Sequence, residues 1–254
     1  MKLHNRTHTS HIGSEFSALD IMVTIWFGFM DLNTVNFSSV ERDHFVLSKG
    51  HAAPALYDIL WRKNLISKQV LDSYGKNGSI LAAHPNNDVP GIDIGTGSLG
   101  HGLGVGSGIA YSLKKSSLKG RVFVLLSDGE CQEGSTIEAA NFAGRFKLDN
   151  LVAVVDNNGL MAYERTDSVQ TIDSVIKKFR SSNWVVRRVD GHNYRQLKHI
   201  FEAVPFEKRR PNLIVADTIK GKGIKKMEGK IEWHYKSPSN EDAIEFVKEL
   251  EEKR

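Results

Sequence analysis

Arg121-Val-Phe-Val-Leu-Leu-Ser127 is a short, continuously apolar run that stops at a polar turn, Asp128-Gly129-Glu130. Leu151-Val-Ala-Val-Val-Asp156 ends in the same way, at Asn157-Asn158-Gly159. Runs of this length, rich in β-branched residues and without alternation, read as strands covered on both faces, as in a parallel sheet. His44 to Ser48, Trp184 to Val189 and Leu213 to Asp217 are three further candidates. Helical patterns lie between them, at Gly102 to Lys115, Ser135 to Arg145 and Asn193 to Val204. Strands alternating with helices imply right-handed crossovers. The expected fold class is α/β: a doubly wound, mostly parallel sheet with helices on both faces.

In open sheets of this kind ligands bind outside the carboxyl ends of the strands, where both polar turns sit. An Asp carboxylate, an Asn amide oxygen and a backbone carbonyl are hard ligands suited to Mg²⁺ or Ca²⁺, with water and phosphate oxygens completing the shell. Asp-Gly and Asn-Gly are also ordinary turn dipeptides. The pairing of two such loops on adjacent strands is what points to a cation–diphosphate site at Asp128 and Asn158.

Two more features carry chemistry. Gly95-Thr-Gly-Ser-Leu-Gly-His-Gly-Leu-Gly-Val-Gly-Ser-Gly108 runs into a helix, and glycines there allow close backbone approach to a ligand. Four of the ten histidines fall in compact motifs: Ser10-His11-Ile-Gly13, Lys49-Gly-His51-Ala, Ala83-His84-Pro85 and Glu232-Trp-His234. Imidazoles donate to sugar hydroxyls and move protons near neutral pH.

The paired loops, the glycine-rich stretch and the histidine motifs together resemble the N-terminal segment of transketolase, from about His11 to Pro238. With one helix after Pro238, the chain is similar to the N-terminal subunit of split, two-chain transketolases. The resemblance implies thiamine diphosphate as cofactor and Mg²⁺, or Ca²⁺, held by Asp128, Asn158 and the Leu160 carbonyl. It implies that Gly129, with Glu130 beside it, admits the diphosphate, and that Ser14 and Lys220 contact it. Lys220 is equally readable as a solvated turn lysine. Gly97, Ser98 and Leu99 would meet the aminopyrimidine. His11 and His234 would bind the donor ketose, with His51 and His84 lining the same pocket and His51 and His234 also touching the cofactor. Glu133 matches a carboxylate that links active sites across a subunit interface, or is simply a first-turn helix carboxylate. Ser127, His101 and Ala162 depart from the family pattern, which has Gly, Gln and a larger residue there.

The activity implied is transfer of a two-carbon ketol unit from a ketose phosphate to an aldose phosphate. The family's activating glutamate belongs to a second, pyrimidine-binding domain. The expected partner is therefore a C-terminal transketolase subunit, with self-association into a heterotetramer, and the 254 residues are expected to form one domain. Gly97-Ser-Leu-Gly100 and Glu232-Trp-His234 look more like transketolase than the related 1-deoxyxylulose-5-phosphate synthase. A non-catalytic partner-binding or regulatory role would show loss of His11, Asp128 or Asn158, and all three are present.

Composition sets the remaining bounds. Hydrophobic residues make up 40% and charged residues 25%, the mix of a globular chain with a sizeable core. Net charge is +4, but the basic residues are scattered, which argues against a nucleic-acid partner. A single cysteine, Cys131, excludes an internal disulfide framework and suits a cytoplasmic setting. Ile21 to Met30 is too short to span a bilayer but apolar all round, so the Ser14–Met30 helix is expected to be buried in the core or in an interface. A charged amphipathic helix, Asn240 to Lys253, is expected to present Ala243, Ile244, Phe246, Val247 and Leu250 as its apolar stripe.

Overall fold

The computed structural model describes residues 1–32 and 39–252. The strands are β1 (His44–Leu47), β2 (Val122–Ser127), β3 (Leu151–Asn157), β4 (Val185–Asp190) and β5 (Asn212–Asp217). They form one all-parallel sheet in the order β1-β2-β3-β5-β4. Val122 lies opposite Leu151 and Ser127 opposite Asp156, while Asn157 pairs with Asp217. This register brings the loops after β1, β2, β3 and β5 out along one edge.

The helices are α1 (Lys2–Thr7), α2 (Ile12–Thr24), α3 (Ala53–Arg62), α4 (Lys68–Asp72), α5 (Gly102–Lys115), α6 (Gly134–Arg145), α7 (Ile172–Ser181), α8 (Tyr194–Glu202) and α9 (Asn240–Glu252). Strand alternation sorts the core into two layers. Phe123, Leu125, Val152 and Val154 pack with α2, α3 and α8. Val122, Val124, Leu126, Leu151, Ala153 and Val155 pack with α5, α6 and α7. Each such fully buried side chain contributes about 1.5–3 kcal/mol of burial, so the continuously apolar strands specify a sheet sandwiched between helices. β4 is the edge strand, and its Arg187 and Arg188 are exposed.

Helix ends follow local chemistry. Thr171 caps α7 by accepting from Ser174 N, and Asn193 caps α8 by accepting from Gln196 N. The stripe Leu197, Ile200 and Phe201 buries one face of α8. That helix ends at Glu202, short of Val204, because Pro205 disfavours helical backbone just before it.

Two expectations are revised. The apolar segment of α2 runs on as a wider turn through Ile25–Phe29, giving one 18-residue helix, Ile12–Phe29, with mean hydropathy 1.3. By length and composition it could cross a bilayer, yet 61% of it is buried as a core helix is. Its burial is also one-sided: Ile21, Met22, Ile25 and Trp26 are buried, while Val23 and Phe27 are 39% and 49% exposed. In α9 only Phe246 is fully buried, against Trp233. Ile244 points to solvent because it lies on the opposite side of the helix from Phe246 and Leu250. Lys253, the expected last residue of α9, lies outside the described residues.

Candidate active site

The two strand-end loops meet. Asp128, just past β2, is buried; one carboxylate oxygen accepts from Gly129 N at 2.8 Å, the other from Gly159 N at 2.7 Å and Thr166 Oγ1 at 3.1 Å. Burial, and then the nearby Asp156 charge, raise its carboxyl above the usual range. Asn158 Oδ1 accepts from Leu160 N at 3.0 Å, so the Asn158 side chain also shapes the turn that carries the Leu160 carbonyl. Asp128, Asn158 and Leu160 thus stand on two touching loops. Among the described residues no three His, Cys, Asp or Glu side chains form a metal-holding group. A cation here must depend on amide, carbonyl and exogenous oxygens, which suits a hard ion bound with a diphosphate.

Beneath these loops is a completely buried ion pair. Lys49, in the loop after β1, donates to Asp156 at the end of β3 and to the Ser14 carbonyl at 3.0 Å. Asp156 also accepts from Ser17 Oγ at 2.6 Å and from Thr218 Oγ1. A buried pair persists when such bonds satisfy its remaining groups. It ties together α2 and the loops after β1, β3 and β5.

The histidines converge. His11 and His234 ring centroids are 4.7 Å apart, His11 and His51 5.1 Å, and His51 and His234 5.8 Å. His11 sits in the left-handed region (φ 75°) at the start of α2, an uncommon position for a side-chain-bearing residue. It is held there by its N–H donating to the His234 carbonyl at 2.8 Å. His84 packs its ring against Gly97, leaving about 3.3 Å where a Cβ would sit. Burial and then the His84 and Lys220 charges hold His11 down to about 4. Burial and then Lys220 hold His234 down to about 3. Burial and then Lys49 push His51 well below the ordinary imidazole range. The cluster is therefore neutral at pH 7, able to donate and accept hydrogen bonds.

Lys220 is no solvated turn lysine. It is buried, and its Nζ lies 2.9 Å from His234 Nδ1, 3.1 Å from the Met161 carbonyl and 3.3 Å from the Leu160 carbonyl. Burial and then Lys49 bring it down to about 8. Ser14 is buried in the first turn of α2. An ammonium and a helix N-terminus together favour an anion on this side of the Asp128–Asn158 loops.

Glu130 is fully buried, and accepts from Gly100 N at 2.8 Å, Ser127 N at 3.2 Å and Ser48 Oγ. It braces the glycine-rich stretch rather than facing open space. Gly102 packs so tightly on Ser48 that a Cβ would come within 2.2 Å of its Oγ. Gly97 is partly covered, while Ser98 and Leu99 are exposed at the surface. Glu133 is exposed too; it is the N-cap residue of α6, without a side-chain bond to the helix. His101 is exposed on the same side.

Several members of the site escaped the sequence reading. Lys49, Ser17, Asp156, Thr218 and Thr166 are polar residues that propensity assigns to the surface. Only Lys49 carried a signal, its place in Ser48-Lys-Gly-His51.

Comparison with known proteins agrees with this geometry. Residues 2–251 match the family model described as transketolase, thiamine diphosphate binding domain. One of the two subunits of an apulose-4-phosphate transketolase from Phocaeicola vulgatus is 38% identical over 248 residues, covering 98% of this chain and 88% of that protein. A 6-deoxy-6-sulfo-D-fructose transketolase subunit from a Clostridium species is 34% identical, covering 95% and 88%. Mouse transketolase is 37% identical over 95% of this chain, which spans only 38% of that enzyme. Among solved structures, transketolase from Leishmania mexicana superposes with a TM-score of 0.89 at 25% identity, over 98% of this chain and 39% of its own. The chain belongs to the transketolase family, as its thiamine diphosphate binding domain.

Proposed function

We propose that residues 1–254 form one domain that anchors thiamine diphosphate with a divalent cation and presents the donor-side histidines of a ketol-transferring enzyme completed by a second subunit. The observation that carries this reading is the convergence of His11, His51 and His234 with Lys220 at the edge where the Asp128 and Asn158 loops meet. Asp128, the Asn158 amide oxygen and the Leu160 carbonyl would hold Mg²⁺, with Ca²⁺ as the alternative. The Lys220 ammonium, close to the Leu160 carbonyl, and Ser14 would face the diphosphate, and Gly129 would let it approach. Thiamine diphosphate supplies the carbon nucleophile and the electron sink for breaking the donor's carbon–carbon bond. The chain's own part is to bind and orient the donor ketose: neutral His11 and His234 hydrogen-bond its hydroxyls, with His51 and His84 along the same wall.

Relatives of matching length are named as single subunits of transketolases, which supports a partner chain. That partner, a C-terminal transketolase subunit carrying the pyrimidine-binding domain, would supply the activating glutamate and most of the phosphate recognition. Self-association into a heterotetramer would use the face of α5 and α6. There a groove of about 490 Å³ is lined by His101, Val105, Glu138 and Phe142, and Phe142 and Phe146 leave apolar surface in water. Glu133 stands at the rim of this face, where a second copy would bury it. The expected setting is cytoplasmic.

The test is calorimetric titration of thiamine diphosphate, with and without Mg²⁺, into the reconstituted two-subunit complex and its Asp128→Ala counterpart. Magnesium-dependent uptake lost in the variant is expected, along with ketol transfer by the complex and none by either chain on its own. Uptake that ignores Asp128, or activity of this chain without its partner, would overturn the reading.

A further inference from the structure

Asn158 can serve a cation only with its amide oxygen, and the two ends of an amide differ in sign but hardly in shape. Something must decide which end faces the ligand. The structure provides it. Asn158 Nδ2 donates to Ser17 Oγ at 3.3 Å and, more weakly, approaches Asp156 Oδ2 at 3.5 Å. Ser17 has one hydroxyl proton; Asp156 Oδ2 at 2.6 Å takes it in preference to the neutral Ser14 carbonyl at 3.0 Å. Its lone pairs are thereby left toward the Asn158 N–H group. Asp156 is fixed in turn by Lys49 and by Thr218, and Lys49 is fixed by the Ser14 carbonyl. Every member of the chain Lys49–Asp156–Ser17 is completely buried. An acceptor is presented to the nitrogen end of Asn158, so its oxygen is turned the other way, to the side where it also receives Leu160 N.

We propose that Ser17, set by the buried Lys49–Asp156 pair, is a positioning residue that fixes the amide orientation of Asn158 for a divalent cation. The proposal rests on the cation–diphosphate reading above. Outer groups that hold a metal ligand in one orientation typically matter about 10- to 100-fold in metal affinity. A flipped Asn158 would present N–H to the cation, and without Ser17 nothing opposes the flip except the long contact to Asp156.

The experiment measures Mg²⁺ affinity in the reconstituted complex with thiamine diphosphate present, by calorimetry and by Mn²⁺ competition followed by electron paramagnetic resonance. Ser17→Ala removes the acceptor; Thr218→Val removes the other buried hydroxyl that donates to Asp156 and leaves Asn158 alone. Expected is a loss of about tenfold in Mg²⁺ affinity for Ser17→Ala and none for Thr218→Val. A carboxylate presents oxygen whichever way it turns, so in an Asn158→Asp background Ser17→Ala should change affinity by less than about twofold. Wild-type affinity in Ser17→Ala, an equal loss in Thr218→Val, or the same loss in both backgrounds would overturn the proposal. Wild-type complex that takes up cofactor without regard to Mg²⁺ would overturn the underlying reading as well, and so is told apart from failure of the positioning role.

Discussion

Lys220 Nζ stands 2.9 Å from His234 Nδ1, and an ammonium group can only donate. Nδ1 of His234 is therefore the acceptor, and its ring proton sits on Nε2. The same contact helps explain why His234 is held down to about 3: a second proton would arrive beside a positive charge already in a buried site. Replacing Lys220 by Met should let His234 titrate at a higher pH, though still below the ordinary 6.5 because burial, the larger cause, remains. Histidine titration by NMR reads this directly; an unmoved His234 would mean the contact does not govern it.

The imidazole cluster makes folding sensitive to acid. His11 and His234 have folded-state values below the unfolded one, so between pH 6.5 and about 4 the unfolded chain binds more protons and stability falls as pH falls. Above pH 6.5 their contribution is flat. The buried His4 works in the opposite sense: burial lowers it, but the Glu15 carboxylate 2.6 Å away outweighs this and raises it, so its contribution is fully present below 6.5. Melting temperature should therefore drop on acidification from pH 7 to pH 4.5, and a His11→Asn, His234→Asn chain should show a shallower drop.

At Gly102 the fold leaves no space for a methyl group. A Cβ there would lie 2.2 Å from Ser48 Oγ and 2.8 Å from Ser48 Cα, which is backbone that cannot swing aside. Gly102→Ala must push α5 away from the loop after β1, at about 1–3 kcal/mol. For a chain of this size that is several degrees of melting temperature. Because Ser48 also donates to Glu130, the variant should disturb the glycine-rich stretch more than the sheet. Amide exchange would show the difference; uniform loss of protection would contradict it.

On the α5–α6 face, Phe142 and Phe146 pack edge to face with Tyr111 while remaining partly exposed. Glutamate at both positions should leave the isolated chain within about 0.5 kcal/mol of its normal stability, as surface changes usually do. It should also abolish self-association seen by sedimentation of the two-subunit complex. Unchanged assembly would move the interface elsewhere.

All five strands were legible in the sequence, because continuous apolar runs ending in polar turns leave few other readings. The order β3-β5-β4 was not, since nothing in Val185-Val-Arg-Arg188 distinguishes an edge strand from a central one except the two arginines. Helices α1, α3, α4 and α7 went unread; α7 is mostly polar, and its Val175, Ile176 and Phe179 stripe is narrow. At the site, residues in recognisable motifs were found, and those that merely support them were not. Lys49 and Asp156 are charged, and sequence rules place charge at the surface. Their burial depends on each other across the sheet, which is a property of the fold and not of either local stretch.

The backbone bond from His11 to the His234 carbonyl joins two stretches that lie on either side of every strand in the chain. A ribosome that has delivered the whole sheet, through Asp217, has still not delivered one of the three clustered imidazoles. Nascent chains long enough to build all five strands thus lack the donor pocket, and the left-handed turn at His11 has no partner to hold it. The pocket is completed only after the scaffold that will carry it is already available to fold.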